Sequence, residues 1–207
     1  MKNITDIEND IASIKEIMER SSRFISLSGL SGILAGIYGL IGAAIAYYLI
    51  YYPNSPFGYR FYYVNESDIV IKLFVTAVGI LGASLLTGFL LSQQKARKQQ
   101  LSYWNASSKR FLINFSIPLI SGGIFIACLI VRGYFGIAAP ACLLFYGLAL
   151  INGSSYTLGD IRYLGLIEIG LGILCSLFPG YGLIFWAVGF GLMHIIYGTL
   201  MYNKYDK

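Results

Sequence analysis

Apolar stretches free of charge are what most constrain this chain. Phe24 to Tyr59 contains no Asp, Glu, Lys or Arg, and the same holds for Leu73–Gln94, Phe111–Val131 and Gly133–Gly159. A helix needs about 20 apolar residues to cross about 30 Å of hydrocarbon. A soluble domain with this many such stretches would lack the polar surface to cover them. The natural spans are Leu27–Tyr51, Ile69–Leu91, Phe111–Val131, Tyr134–Ile151, Ile161–Phe178 and Gly180–Tyr202. The expected fold is therefore all-α: a polytopic bundle of six transmembrane helices. Composition agrees, since charged residues make up 12% of the 207, about half the usual share.

The cationic residues predict sidedness, because Lys and Arg collect on the cytoplasmic side of membrane proteins. With the N-terminus inside, that side holds Lys2, Lys15, Arg20, Arg23, Lys95, Arg97, Lys98, Lys109, Arg110, Arg162, Lys204 and Lys207. The outer side holds only Arg60, Lys72 and Arg132. Twelve against three supports an even number of spans, with both termini in the cytoplasm, and the expected location is the inner membrane of the cell. The net charge of +5 is explained by this arrangement, so nucleic acid is not expected as a partner. The start, Met1-Lys2-Asn3, leads into a charged stretch rather than the apolar core of a cleaved signal.

Three domains are expected: an amphipathic cytoplasmic helix at 1–23, the membrane bundle at 24–202 and a short cytoplasmic tail at 203–207. In the first, Thr5 and Glu8 have capping-box spacing. Ile4, Ile7, Ile11, Ile14 and Met18 then alternate at steps of three and four. That is a short coiled-coil seam. Five acids (Asp6, Glu8, Asp10, Glu16, Glu19) set it against anionic lipid and in favour of protein contact. Residues 3–23 are thus the expected surface for a protein partner or a second copy of the chain. The basic run Gln93–Arg110 contains no Pro or Gly, so the second helix is expected to project into the cytoplasm. An aromatic cluster between Tyr47 and Tyr63 reads as an interfacial belt.

Small residues at four-residue spacing let helices approach closely in lipid. Ser28, Gly32 and Gly36 form one such row in span one, and Ala35, Gly39 and Ala43 another. Two faces of contact, and a central place for this helix, are expected. Span two has Gly79 with Ala83 and Ser84 with Gly88.

Ionisable groups inside a membrane are costly and mark candidate sites. Glu168 in span five and His194, the only histidine, in span six flank the Pro179-Gly180 turn at similar depth. Asn114 and Asn152 lie at neighbouring depths, with Asp160 and Arg162 just below. Together these predict a polar cluster open to the cytoplasm, with Glu168 and His194 as a proton-responsive pair. No phosphate loop, nucleophile constellation or metal-ligand spacing is present, so neither a catalytic residue nor a metal or cofactor is expected. Cys128, Cys142 and Cys175 read as separate buried thiols.

The segment from Arg20 through Ser-Ser-Arg-Phe-Ile-Ser-Leu-Ser-Gly-Leu-Ser to Gly32 resembles the start of a family of uncharacterised bacterial multi-pass, six-helix membrane proteins. So does Gly189-Phe-Gly-Leu-Met-His-Ile-Ile-Tyr-Gly198. Members of that family neighbour small winged-helix regulators. The resemblance implies a sensing or accessory role in the envelope and assigns no site residue. The function expected is a non-enzymatic inner-membrane accessory or sensory component acting through protein partners. The alternative is a small-solute or ion transporter or channel using Glu168 and His194.

Overall fold

The computed structural model describes residues 27–52, 67–100 and 104–207. The expected helix at 3–23 and the centre of the aromatic loop lie outside the described residues. Six helices run along the described chain: α1 (Gly29–Ile50), α2 (Ser67–Lys98), α3 (Ala106–Val131), α4 (Ala138–Ser154), α5 (Ile161–Leu177) and α6 (Gly182–Tyr205). No β-strand occurs among these residues. α1, α2, α3, α4 with its leading 3-10 turn, and α6 are each long and apolar enough to cross a membrane. α5 is shorter, at 17 residues.

Two helix ends lie beyond the apolar stretches, that of α2 as the basic run without Pro or Gly leads one to expect. α2 continues past the apolar stretch to Lys98, and its last turn carries Lys95, Arg97 and Lys98. Cations there complement the partial negative charge of a helix C-terminus. α3 begins before Phe111, at Ala106, because a capping box starts it. The Asn105 side chain accepts from Ser108 N at 2.7 Å, and Asn105 N donates to Ser108 Oγ at 2.9 Å. α6 is interrupted by a π-helical segment, Ala187–Met193, between two α-helical parts.

Glycine sets the packing. α1 lies between α2 and α6, α4 lies between α3 and α5, and α6 joins the two groups. Gly29, Gly32, Gly36 and Gly39 of α1 all face the backbone of α6, around Phe190, Gly191, His194 and Gly198. The two faces and central place expected of α1 are present, one on α6 and one on α2, but Gly36 and Gly39, expected on different sides, share the α6 seam. Alternating steps of three and four keep these glycines on a single side of the helix. Gly42 leaves the seam and faces Ile80 of α2. Gly147 and Gly165 bring α4 and α5 together reciprocally. A Cβ on either would sit 2.6–2.8 Å from the carbonyl oxygen of the other. The small residues of α2 do not pack in this way. A Cβ on Gly79, Gly82 or Gly88 would meet nothing within 4 Å, so the packing expected of that helix is also corrected.

Pro118 lies inside α3. Proline has no N–H, so the carbonyl four residues earlier, that of Asn114, loses its helical donor. Asn152 of α4 replaces it, with Nδ2 donating to the Asn114 oxygen at 2.7 Å. In lipid a freed backbone carbonyl must find a donor on a neighbouring helix. Here the donor also fixes how α3 docks on α4.

One end of the bundle is tied together by polar contacts. Asp206 accepts from Gly29 N at 2.8 Å, Ser28 Oγ at 3.0 Å and Lys95 Nζ at 2.6 Å. Lys95 also donates to the Leu27 carbonyl at 2.9 Å. The start of α1, the end of α2 and the end of α6 thus meet at a single carboxylate. It satisfies an N-terminal amide of α1 as a capping residue would. Nearby, Asp160 in the α4–α5 turn accepts from Lys204 Nζ at 2.7 Å and Tyr205 Oη at 2.9 Å.

Candidate functional site

Glu168 projects from the middle of α5 into the junction of α4, α5 and α6. It is fully buried, and neither carboxyl oxygen has a hydrogen-bond partner among the described residues. Its Oε1 lies 3.4 Å from Nδ1 of His194, and Gly189 of α6 faces its other oxygen. A Cβ on Gly189 would come within 2.5 Å of Glu168 Oε2 and of Leu143 Cδ2. The absence of a side chain at 189 is what admits the carboxyl between the helices.

His194 is held on three sides. Its Nδ1 is 2.9 Å from the carbonyl oxygen of Gly189, within the π segment of its own helix. Its Nε2 is 2.7 Å from the hydroxyl of Tyr146 on α4. Its ring packs against Tyr146 and Phe190, with centroids 5.3 and 6.0 Å away.

Two proton arrangements fit these distances. With a neutral imidazole, Nδ1–H donates to Gly189, Tyr146 O–H donates to Nε2, and Glu168 carries its own proton. With an imidazolium, Nδ1–H is shared between Gly189 and Glu168, and Nε2–H donates to Tyr146. The second arrangement reverses the Tyr146–His194 bond and leaves the tyrosine proton to find another acceptor. An unpaired carboxylate in so dry a place would be expensive. The two arrangements hold the same number of protons and differ by the transfer of one from Glu168 to His194.

The predicted cluster separates into parts. Glu168 and His194 come together as the hairpin spacing predicted. Asn114 and Asn152 do not join them, and that part of the expected cluster is corrected. Asn152 serves the carbonyl freed by Pro118, and the Asn114 side chain bonds the Arg110 carbonyl of its own helix at 2.8 Å. Asp160 is engaged by Lys204 and Tyr205. The expected opening to the cytoplasm is also corrected, because Glu168 has no exposed surface. Two surface depressions lie elsewhere. One follows the apolar outer face of α3 at Ile113, Ile117 and Ile120, and the other the α4–α5 turn at Ser155, Asp160 and Arg162.

Sequence reasoning missed Tyr146, Tyr197 and Gly189. The tyrosines carried a usable signal, since each lies well inside an apolar stretch, away from the interfacial belts. A hydroxyl at that depth needs a partner. Tyr197 is one helical turn beyond His194, and its buried hydroxyl has no partner among the described residues. Gly189 carried no signal, because nothing in one sequence separates it from the other glycines of its helix. Among the described residues no three of His, Cys, Asp and Glu gather where one metal ion would reach them. No family model, curated protein or solved structure matches this chain. The site is read from its own chemistry.

Proposed function

We propose that this chain is a six-span protein of a bacterial inner membrane. Both termini lie in the cytoplasm, and the chain acts without catalysis as a sensory or accessory component through protein partners. Its input is a proton at the Glu168–His194–Tyr146 junction. The observation that carries this reading is the fully buried, unpartnered carboxyl beside an imidazole that itself bridges two helices. Protonation there changes the bonds between helices rather than the contents of a channel. Six spans are supported by the alternating course of six apolar helices, α5 being the one of 17 residues with no leading turn to extend it. Sidedness is supported by the end that gathers Lys95, Arg97, Lys98, Arg162 and Lys204. The envelope role and the partner surface at residues 3–23 rest on the family resemblance and the heptad seam.

The test uses the full chain in vesicles, with Trp186 fluorescence read in a Trp104→Phe background. Trp186 packs at a tilt against Phe190, with ring centroids 5.1 Å apart, and Phe190 stacks on His194. A sensor changes this signal between about pH 5 and 8, loses the change in Glu168→Gln, and leaks no more protons than empty vesicles. Proton or solute flux that depends on Glu168 favours the transporter reading instead. An unchanged signal without flux refutes both. In native membranes, crosslinked partners that survive deletion of residues 3–23 refute the partner surface.

A further inference from the structure

The buried junction is not surrounded evenly. Towards the α6 N-terminus, α4, α5 and α6 offer no carboxyl, amine or second imidazole, but the thiols of Cys142 and Cys175 and the Ser176 hydroxyl, which is exposed and bonded to the Ile173 carbonyl. α1 has no charged residue between Leu27 and Tyr52, and α3 none between Phe111 and Val131. Towards the other end the polar groups continue. Tyr146 bonds His194 directly. Tyr197 sits one turn further along α6 and packs, with Tyr146, against the cluster that holds Ile161, the residue after Asp160. Tyr205 in turn bonds Asp160, which opens on the depression beside Arg162. Tyr146 and Tyr197 both pack against the apolar cluster of Leu150, Ile161 and Leu164, so this row of hydroxyls runs through otherwise dry packing.

We propose that Tyr197 is the relay through which a proton passes between Glu168–His194 and the Asp160–Tyr205 end of the bundle. The junction is thereby addressed from that end alone. This rests on the reading of the junction as a proton site and adds its access side and a residue to it. A hydroxyl can donate and accept at once. A buried one without a fixed partner is free to turn between His194–Tyr146 on one side and Tyr205–Asp160 on the other. In the imidazolium arrangement the displaced Tyr146 proton needs an acceptor, and Tyr197 carries the next buried hydroxyl along α6, one without a partner among the described residues. Each transfer breaks one O–H or N–H bond and makes another, with no change in oxidation state.

The experiment follows the carboxylic acid carbonyl band of Glu168 by infrared spectroscopy after an acid jump, with Glu168→Gln identifying the band. Full-length protein is placed in vesicles captured by a C-terminal tag, so that the Lys204 end faces the bath. Acidifying the bath should change the band at once. Vesicles of opposite orientation should respond only after their lumen acidifies. Tyr197→Phe should slow the response about tenfold or more, a barrier increase of about 1.4 kcal/mol, with the same starting and final spectra. Tyr205→Phe should slow it less, because water at that end still reaches Asp160. Equal rates from both faces, or a Tyr197→Phe rate equal to the unmodified protein, would overturn the relay while leaving the proton site standing. A carboxyl band that never titrates would remove the site and the relay with it.

Discussion

Replacing Asn152 by Leu removes the amide that serves the Asn114 carbonyl and keeps a side chain of similar size. The carbonyl is in need only because Pro118 has no N–H to offer it. Interhelical hydrogen bonds of membrane proteins are worth about 0.6 kcal/mol on average and at most about 1.7. This one serves a backbone acceptor with no helical donor, which places it in the upper part of that range, at about 1–1.5 kcal/mol. Pro118→Ala restores the donor within α3, so in that background Asn152→Leu should cost almost nothing. The coupling energy between the two sites should then equal nearly the whole cost of the single Asn152 change. Equilibrium unfolding of the four proteins in bicelles measures it as a double-mutant cycle. Independent sites add to within about 0.3–0.5 kcal/mol. A coupling inside that margin would refute the account of why α3 and α4 dock where they do.

Removing Asp206 should be among the costliest changes near the surface. Asp206→Ala leaves Lys95, whose side chain is 11% exposed, and the first amide of α1 without their acceptor. A loss of about 3 kcal/mol is expected from breaking a largely buried pair, measured by unfolding, with Lys95→Met recovering part of it. Gly189→Ala forces a methyl against Glu168 and Leu143 and should cost about 1–3 kcal/mol, whereas Gly79→Ala, with open space around it, should be neutral or stabilising. Equal melting temperatures for those two variants would contradict the packing. Asp160 is held below its usual value of 3.8 chiefly by its hydrogen bond from Lys204. Its stabilising contribution is therefore complete above about pH 4 and is lost as pH falls through the lowered value. Lys204→Ala should remove that acid sensitivity, and acid unfolding profiles that coincide would refute it.

Much of the fold was legible because lipid imposes a simple length rule on apolar helices. Spans one, three and four follow from charge-free stretches, and the α5–α6 hairpin follows from Pro179-Gly180. Approximate depth was legible too, since Glu168 and His194 lie at similar, though unequal, distances from that turn. Other features depend on which side of a helix a residue occupies, and charge gaps say nothing about that. Counting only four-residue spacing separates Gly36 from Gly39, whereas the intervening step of three puts both on the α6 side of α1. Asn114 and Asn152 were grouped with Glu168 because depth alone cannot distinguish a side chain facing the junction from one facing α3. The meaning of Asn152 was present in the sequence as Pro118, exactly four residues after Asn114, but it required knowing which helix lay opposite. The π segment of α6 left no mark, since its residues are as apolar and glycine-rich as the turns beside it.

The shortness of α5 has a consequence for the surrounding lipid. Seventeen residues span about 25 Å as a helix, several ångströms less than the hydrocarbon of an average bilayer. Its neighbours are α4, 20 residues with its leading 3-10 turn, and α6, 24 residues. A membrane that suits them must pinch at α5 or draw the turn at Asp160 and the Phe178 corner inwards. Bilayer thickness thus pulls on the helix that carries Glu168, and acyl-chain length becomes a second variable, alongside acidity, that bears on the same carboxyl.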